Sequence, residues 1–274
     1  MSNLVERIKE SANYLKSKID AEYKHGVILG SGLGNLTVQM KVHQQISYTE
    51  IPNFPVSTVE GHKGSLIFGE LGGKNVVCMS GRFHYYEGYS MEEVTFPIRV
   101  MKFLGVETLL ISNASGGMNA SFEVGDLMIL TDHIYLQPEH PLRGKNYEEL
   151  GPRFPNMNNA YDPAMVKIGL EIAKANNITC HTGVYVGVQG PTFETPAEYK
   201  CFHIMGGDAV GMSTTPEVVV ARHMSMKVFA ISVISDVGYP FEKADQVSHA
   251  FVLEKASEAE PKMTKVIIEL LHKI

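Results

Sequence analysis

Arg82, His84 and Tyr86 fall at alternate positions in "CMSGRFHYYEG", so an extended backbone there projects all three to one side. An arginine offers a fixed fork of donors suited to phosphate, and a histidine adds a donor whose charge changes near neutral pH. Other stretches end in groups of the same kind. "ISNASGG" closes an apolar run with Asn113, Ala114 and Ser115 before paired glycines, and "VGMSTTPE" closes another with Ser213, Thr214 and Thr215. "VILGSGLGNL" runs from Val27, Ile28 and Leu29 into Gly30, Ser31, Gly32 and Gly34, a turn where backbone N–H groups can converge on an anion and Ser31 adds a hydroxyl. A dinucleotide site needs glycines at G-x-G-x-x-G with an acidic residue about 20 positions on. Here the spacing is G-x-G-x-G, and the acidic residue near that distance, Glu50, sits by a proline in "YTEIPNFP". A bare anion suits the turn better than a dinucleotide, and a tight turn that holds nothing fits the same residues.

"VGVQGPTFETPAEY" adds chemistry of another kind. A strand runs into Gly190 and Pro191, Phe193 and Glu194 follow, and Thr195 with Pro196 opens a helix as its cap and first residue. An aromatic face beside a carboxylate suits a flat heterocycle that is stacked upon and bonded at its edge. Taken singly, each residue also has a structural reading. Ser213 and Thr215 look like helix caps, Arg82 like the ion-pair partner of Glu87, and Glu194 like a helix-dipole partner. His62 and His84 can be structural histidines, and Phe193 and Met212 can be core. Jointly, four strand ends carry ligand-suited groups, and strand ends are where open α/β sheets bind ligands.

The elements that position these groups can be traced along the chain. Leu4, Val5, Ile8, Ala12, Leu15 and Ile19 recur at helical spacing. "GVILG" reads as a buried strand, and "SLIFGELGGKNVVCMSG" as a hairpin about Gly72 and Gly73. Residues 90–104 suggest a helix that Pro97 kinks or starts late. Strands follow at "TLLISNAS", "DLMILTDHI", "GVYVGVQG", "DAVGMS" and "KVFAISVIS", with helices near 162–177, 195–206 and 215–225 and a last helical region, 246–273, broken at Pro261. This alternation argues an α/β fold with a largely parallel central sheet, made mixed by the hairpin. Residues 137–160 form the one long irregular segment, a length usual for a lid or interface. No linker or repeat divides residues 1–274, which read as one domain.

Composition bounds the partners. The chain of 274 residues is 44% hydrophobic, enough for a sizeable core. A net charge of -6 without a basic cluster argues against nucleic acid or an anionic membrane as main partner. Cys78, Cys180 and Cys201 are scattered and odd in number, which suits a reducing cytoplasm and gives no zinc motif. The charged start "MSNLVERIKESANYLKSK" is neither a signal peptide nor a spanning helix.

The runs "ILGSGLGNL", "FPVSTVEGHKG", "GRFHYYEGY", "NASGGMN", "GDLMILTDHI", "HPLRG", "RFPNM", "AYD", "GPTFET" and "VGMSTTPEVVVARH" stand in an order and spacing that resembles the trimeric purine nucleoside phosphorylase family over nearly the whole chain. The resemblance implies a mixed sheet distorted toward a barrel and flanked by helices. It implies cleavage of a purine nucleoside by inorganic phosphate, a co-substrate, with no metal or organic cofactor. It assigns Ser31, His62, Arg82, His84, the Ala114 amide and Ser213 to phosphate. Tyr86 and Met212 would border the ribose, His249 would bond the 5′-hydroxyl, and Phe193 and Glu194 would hold the base. Phe154 would enter the sugar pocket of a neighbouring subunit, which makes the long irregular segment an interface element of a homotrimer.

One position departs from the family. Its base-reading asparagine follows a threonine at the end of the last strand, where this chain has Ser235 and Asp236 in "ISVISDVGYP". An amide can donate to N7 and O6, whereas an ionised carboxylate only accepts. An adenosine- or methylthioadenosine-preferring enzyme is therefore the alternative, although Glu194 and His249 suit a hydroxymethyl nucleoside. A dehydrogenase rests only on the glycine turn. A nucleoside- or phosphate-binding module without catalysis would need the loss of a key group, and only Asp236 is a candidate for one.

Overall fold

Long apolar runs dictate the centre of the molecule. In the computed structural model, which describes residues 3–56, 64–243 and 247–274, "TLLIS" and "VFAISVI" form adjacent strands buried on both faces. The strands are β1 (His25–Ile28), β2 (Lys41–Ser47), β3 (Ser65–Leu71), β4 (Lys74–Ser80), β5 (Thr108–Gly117), β6 (Leu127–Tyr135), β7 (Cys180–Gly187), β8 (Ala209–Gly211) and β9 (Lys227–Val237). They pair in the order β2-β3-β4-β1-β5-β8-β7-β6-β9, and β9 returns to pair with β5. β5, β8, β7, β6 and β9 thus close into a ring, and β1, β4, β3 and β2 extend from it as an open wing. The sheet is mixed: β5–β9, β6–β7, β7–β8, β1–β4 and β1–β5 are parallel, whereas β5–β8, β6–β9, β2–β3 and β3–β4 are antiparallel. The β5–β9 register shifts between Ser115 and Gly116, a bulge that re-aims the end of β5 beside the cavity described below.

Among the described residues six α-helices flank the sheet: α1 (Leu4–Lys16), α2 (Met91–Phe103), α3 (Pro163–Ala175), α4 (Pro196–Ile204), α5 (Thr215–His223) and α6 (His249–Lys273). α1 buries Leu4, Val5, Ile8, Ala12 and Leu15, and Asn3 with Glu6 closes its N-terminus as a capping box. The β3–β4 hairpin turns at Gly72 and Gly73, whose φ values of 57° and 75° suit a two-residue turn.

A late start at Pro97 and a break at Pro261 are both overturned. α2 starts at Met91 and runs through Pro97, and α6 runs unbroken through Pro261. An interior proline costs ~3 kcal/mol, but Met263, Val266, Ile267, Leu270 and Leu271 beyond it are buried, and each such side chain contributes roughly 1.5–3 kcal/mol. Packing outweighs the lost backbone bond. β2 was not expected either, because it is an exposed edge strand and lacks the apolar alternation of a half-buried one. Among the described residues no helix is long and apolar enough to cross a membrane.

Candidate active site

The ends of β4, β5, β7, β8 and β9 and the first turn of α6 surround one cavity of about 330 Å³. Ser31, Arg82, His84, Tyr86, Ala114, Phe193, Glu194, Met212, Ser213, Asp236 and His249 all line it. The sequence scatters these eleven residues; closing the sheet gathers them.

One corner is built for an anion. Arg82 is 1% exposed, donates through Nη1 to Ser213 Oγ at 2.8 Å and through Nη2 to the Ser112 carbonyl at 2.6 Å. Its Nε faces Glu217 Oε1 at 3.4 Å, with the Glu217 side chain 3% exposed. The expected Arg82–Glu87 pair does not form, because Glu87 is taken by His84 and the cation finds its carboxylate on α5 instead. Neither Ser213 nor Thr215 caps that helix. Thr214 holds the cap position at φ 68° without a side-chain cap bond, and its hydroxyl accepts from Asn113 Nδ2 at 2.9 Å. Ser213 thereby turns its hydroxyl to Arg82 rather than to the helix.

The glycine turn reaches this corner through close backbone approach. A Cβ on Gly30 would lie 2.8 Å from the Asn113 Cα, so only glycine lets the loop pass β5 and bring Ser31 to the cavity. The turn is anchored by buried Glu260 of α6, which accepts from Leu36 N at 3.1 Å and Asn35 Nδ2 at 2.9 Å. Glu50, the residue a dinucleotide site would need, instead accepts from Ser47 N in a 3-10 capping box. That removes the acidic half of the dinucleotide signature.

His84 stacks on Tyr86, with ring centroids 4.7 Å apart. Burial holds the His84 imidazole below its ordinary range, against the opposing bond from Glu87. The ring is therefore neutral at pH 7.

The opposite corner carries the carboxylates. Glu194 is pushed up to about 7, first by burial and then in part by the charge of Asp236. Asp236, at the end of β9, accepts from Tyr199 Oη at 3.0 Å and from Ser235 Oγ at 2.8 Å. Gly190 leaves room for Met212, since a Cβ there would collide with the thioether sulfur. Thr195 and Pro196 open α4 as the sequence implies, with Glu198 completing a capping box.

One expected residue is not brought to the cavity and another cannot be placed. His62 lies outside the described residues. Phe154 is 87% exposed and borders a separate depression with His140, Arg143 and Met157. Residues 137–160 carry no regular element and cross over themselves, Arg153 donating to the carbonyls of Leu142 and Gly144. Conversely, Tyr199 and Glu217 have no role in the sequence reading, and Ser235 enters it only as the residue before Asp236. "PAEY" and "TTPEVVV" look like ordinary helix starts, and only the folded neighbours give Tyr199 and Glu217 their meaning.

The phosphorylase superfamily model matches residues 24–272. The chain is 49% identical over 263 residues to purine nucleoside phosphorylase 1 of Bacillus subtilis, covering 96% of each. The structure of a schistosoma purine nucleoside phosphorylase in complex with hypoxanthine superposes with a TM-score of 0.94 at 43% identity, covering 100% of this chain and 99% of that one. The Schistosoma mansoni enzyme in complex with adenosine gives 0.93 at 44% identity, covering 98% of each. The chain belongs to the phosphorylase superfamily and, within it, to the purine nucleoside phosphorylases. This family of pentosyltransferases does not favour the methylthioadenosine or adenosine-preferring alternative raised by Asp236.

Proposed function

We propose that this protein phosphorolyses purine ribonucleosides and deoxyribonucleosides to the free base and the (deoxy)ribose 1-phosphate, with inorganic phosphate as co-substrate and no metal or organic cofactor. The observation that carries the reading is the pairing, in one cavity, of the Arg82–Ser213 anion corner with Glu194 beside Phe193.

The chemistry follows from charge. A purine anion is a poor leaving group and phosphate a modest nucleophile, so the glycosidic bond breaks through a ribosyl oxocarbenium-like state. Phosphate held by Ser31, His62, Arg82, His84, the Ala114 amide and Ser213 lies against that cation, stabilising it and then bonding C1′. Tyr86, Met212 and His249 hold the ribose. Phe193 stacks on the base. Glu194, ionised, accepts from N1–H of a 6-oxopurine as electrons move into the ring, and Asp236 faces the purine edge beside it. That schistosomal relatives are named in complex with hypoxanthine and with adenosine supports a pocket that admits both base types.

The functional unit in this reading is a cytoplasmic homotrimer in which exposed Phe154 completes a neighbour's sugar pocket. Nucleic acid and membranes are not partners. The test compares inosine, guanosine, adenosine and methylthioadenosine with and without phosphate. Base release should vanish without phosphate and be untouched by EDTA. Rapid release in phosphate-free buffer would instead identify a hydrolase.

A further inference from the structure

Tyr199 projects from α4 into the cavity wall, 5% exposed, with its hydroxyl 3.0 Å from Asp236 Oδ2. The room for its ring is built by two glycines. A Cβ on Gly238 would collide with the ring, and a Cβ on Gly116 would collide with the hydroxyl and lie 3.0 Å from Asp236 Oδ2. Glycines at the ends of β9 and β5 thus form a slot that holds this phenol against this carboxylate.

We propose that the Tyr199 hydroxyl is a specificity-determining group that sets the balance between 6-oxo and 6-amino purines, by committing its one proton to Asp236. The inference rests on the phosphorylase reading above and names what tunes its base site. Ser235 Oγ also donates to Asp236, at 2.8 Å to Oδ1, so each carboxylate oxygen receives a hydroxyl proton. Two donors stabilise the charged form, and a charged carboxylate has no proton to give to a base. It accepts, which suits the exocyclic amine of a 6-aminopurine and opposes the O6 of a 6-oxopurine. Glu194 lines the same cavity wall as Tyr199 and Asp236. A phenol has a single proton, so once Asp236 holds it Glu194 must draw a hydrogen from the ligand, and N1–H of a 6-oxopurine supplies one. Tyr199 therefore keeps one favourable bond available to each class of base. Without the hydroxyl, Asp236 loses a donor while Glu194 remains beside it. The charged form of Asp236 then keeps one hydroxyl donor fewer, so the carboxyl takes a proton more readily and can donate it to the purine, which favours 6-oxopurines.

The test is Tyr199→Phe, which keeps the ring in its slot. kcat/KM for inosine and for adenosine are measured in the wild type, Tyr199→Phe, Asp236→Asn and the double variant. Tyr199→Phe should raise the inosine-over-adenosine ratio about tenfold, the discrimination of one exchanged hydrogen bond. In the Asp236→Asn background the same change should move the ratio by less than about twofold, since the carboxylate through which the hydroxyl acts is gone. Equal losses for both nucleosides, or the same ratio change in both backgrounds, would overturn the proposal and leave Tyr199 a packing residue. Gly238→Ala, which displaces the ring, should shift the ratio in the same direction if Tyr199→Phe folds poorly, and an unchanged ratio there counts against the proposal equally. A wild type that releases no base in phosphate would fail the phosphorylase reading itself, a result distinct from any of these.

Discussion

One oxygen of the Glu87 carboxylate receives both the backbone N–H of His84, at 2.8 Å, and the His84 ring at Nδ1, at 3.0 Å. The bond fixes the tautomer. With the proton on Nδ1 and the ring kept neutral by burial, Nε2 is an acceptor, able to take a hydrogen from a phosphate hydroxyl. Glu87→Ala should therefore raise KM for phosphate by about tenfold, the worth of one charge-assisted hydrogen bond, while KM for nucleoside stays within about twofold. Steady-state kinetics with each substrate varied in turn decides it. Equal rises in both constants would show a general disturbance of the site.

Glu194 gives a pH dependence with a definite sign. Burial raises it to about 7, and only its ionised form accepts from N1–H. The acceptor is lost as pH falls through that value, so kcat/KM for inosine should climb with pH across the neutral region. Glu194→Gln should flatten that limb, and Glu194→Ala should cost roughly 2–4 kcal/mol in kcat/KM. A limb unchanged in Glu194→Gln would assign the titration to another group.

Glu217 is the anionic partner of a nearly inaccessible arginine. Its removal takes away the carboxylate that faces the buried Arg82 Nε. Glu217→Ala should destabilise the protein by about 3 kcal/mol, the low end for a broken buried pair because the contact is 3.4 Å long. It should also raise KM for phosphate. Urea denaturation and phosphate saturation curves read the two effects separately, and an unaltered midpoint would show that the pair is not worth its geometry.

The sequence carried most of the fold and the two corners of the site. β5 and β9 announce themselves as unbroken apolar runs, and the hairpin by paired glycines, because those signals are local. Arg82 shows what is not local. Its nearest acid along the chain is Glu87, yet folding puts that carboxylate on His84 and brings Glu217 across from α5. Tyr199 was hidden for the same reason: a tyrosine in a helix start carries no mark of the glycine slot it fills. Pro97 and Pro261 were read by backbone rules alone, and packing set their outcome.

Phe154 tests the assembly. Its ring is 87% exposed, with the Arg153 guanidinium 5.8 Å from its centroid. Phe154→Ala should raise KM for nucleoside by about tenfold and leave KM for phosphate unchanged, as expected for loss of apolar contact on the sugar side alone. Light scattering should give three chains per particle. A fully active monomer would remove this role from Phe154.

The ring of five strands bears on how this protein stays out of aggregates. A closed sheet offers no unpaired ladder to another molecule, and β1, β4 and β3 are each paired on both sides. Among the described strands, the free margin belongs to β2. That margin carries Lys41, His43, Gln44 and Gln45 in the open and a register shift between Val42 and Gln44, features that make a strand a poor template for another chain. Replacing those polar residues with valine or isoleucine would turn that margin into an adhesive one.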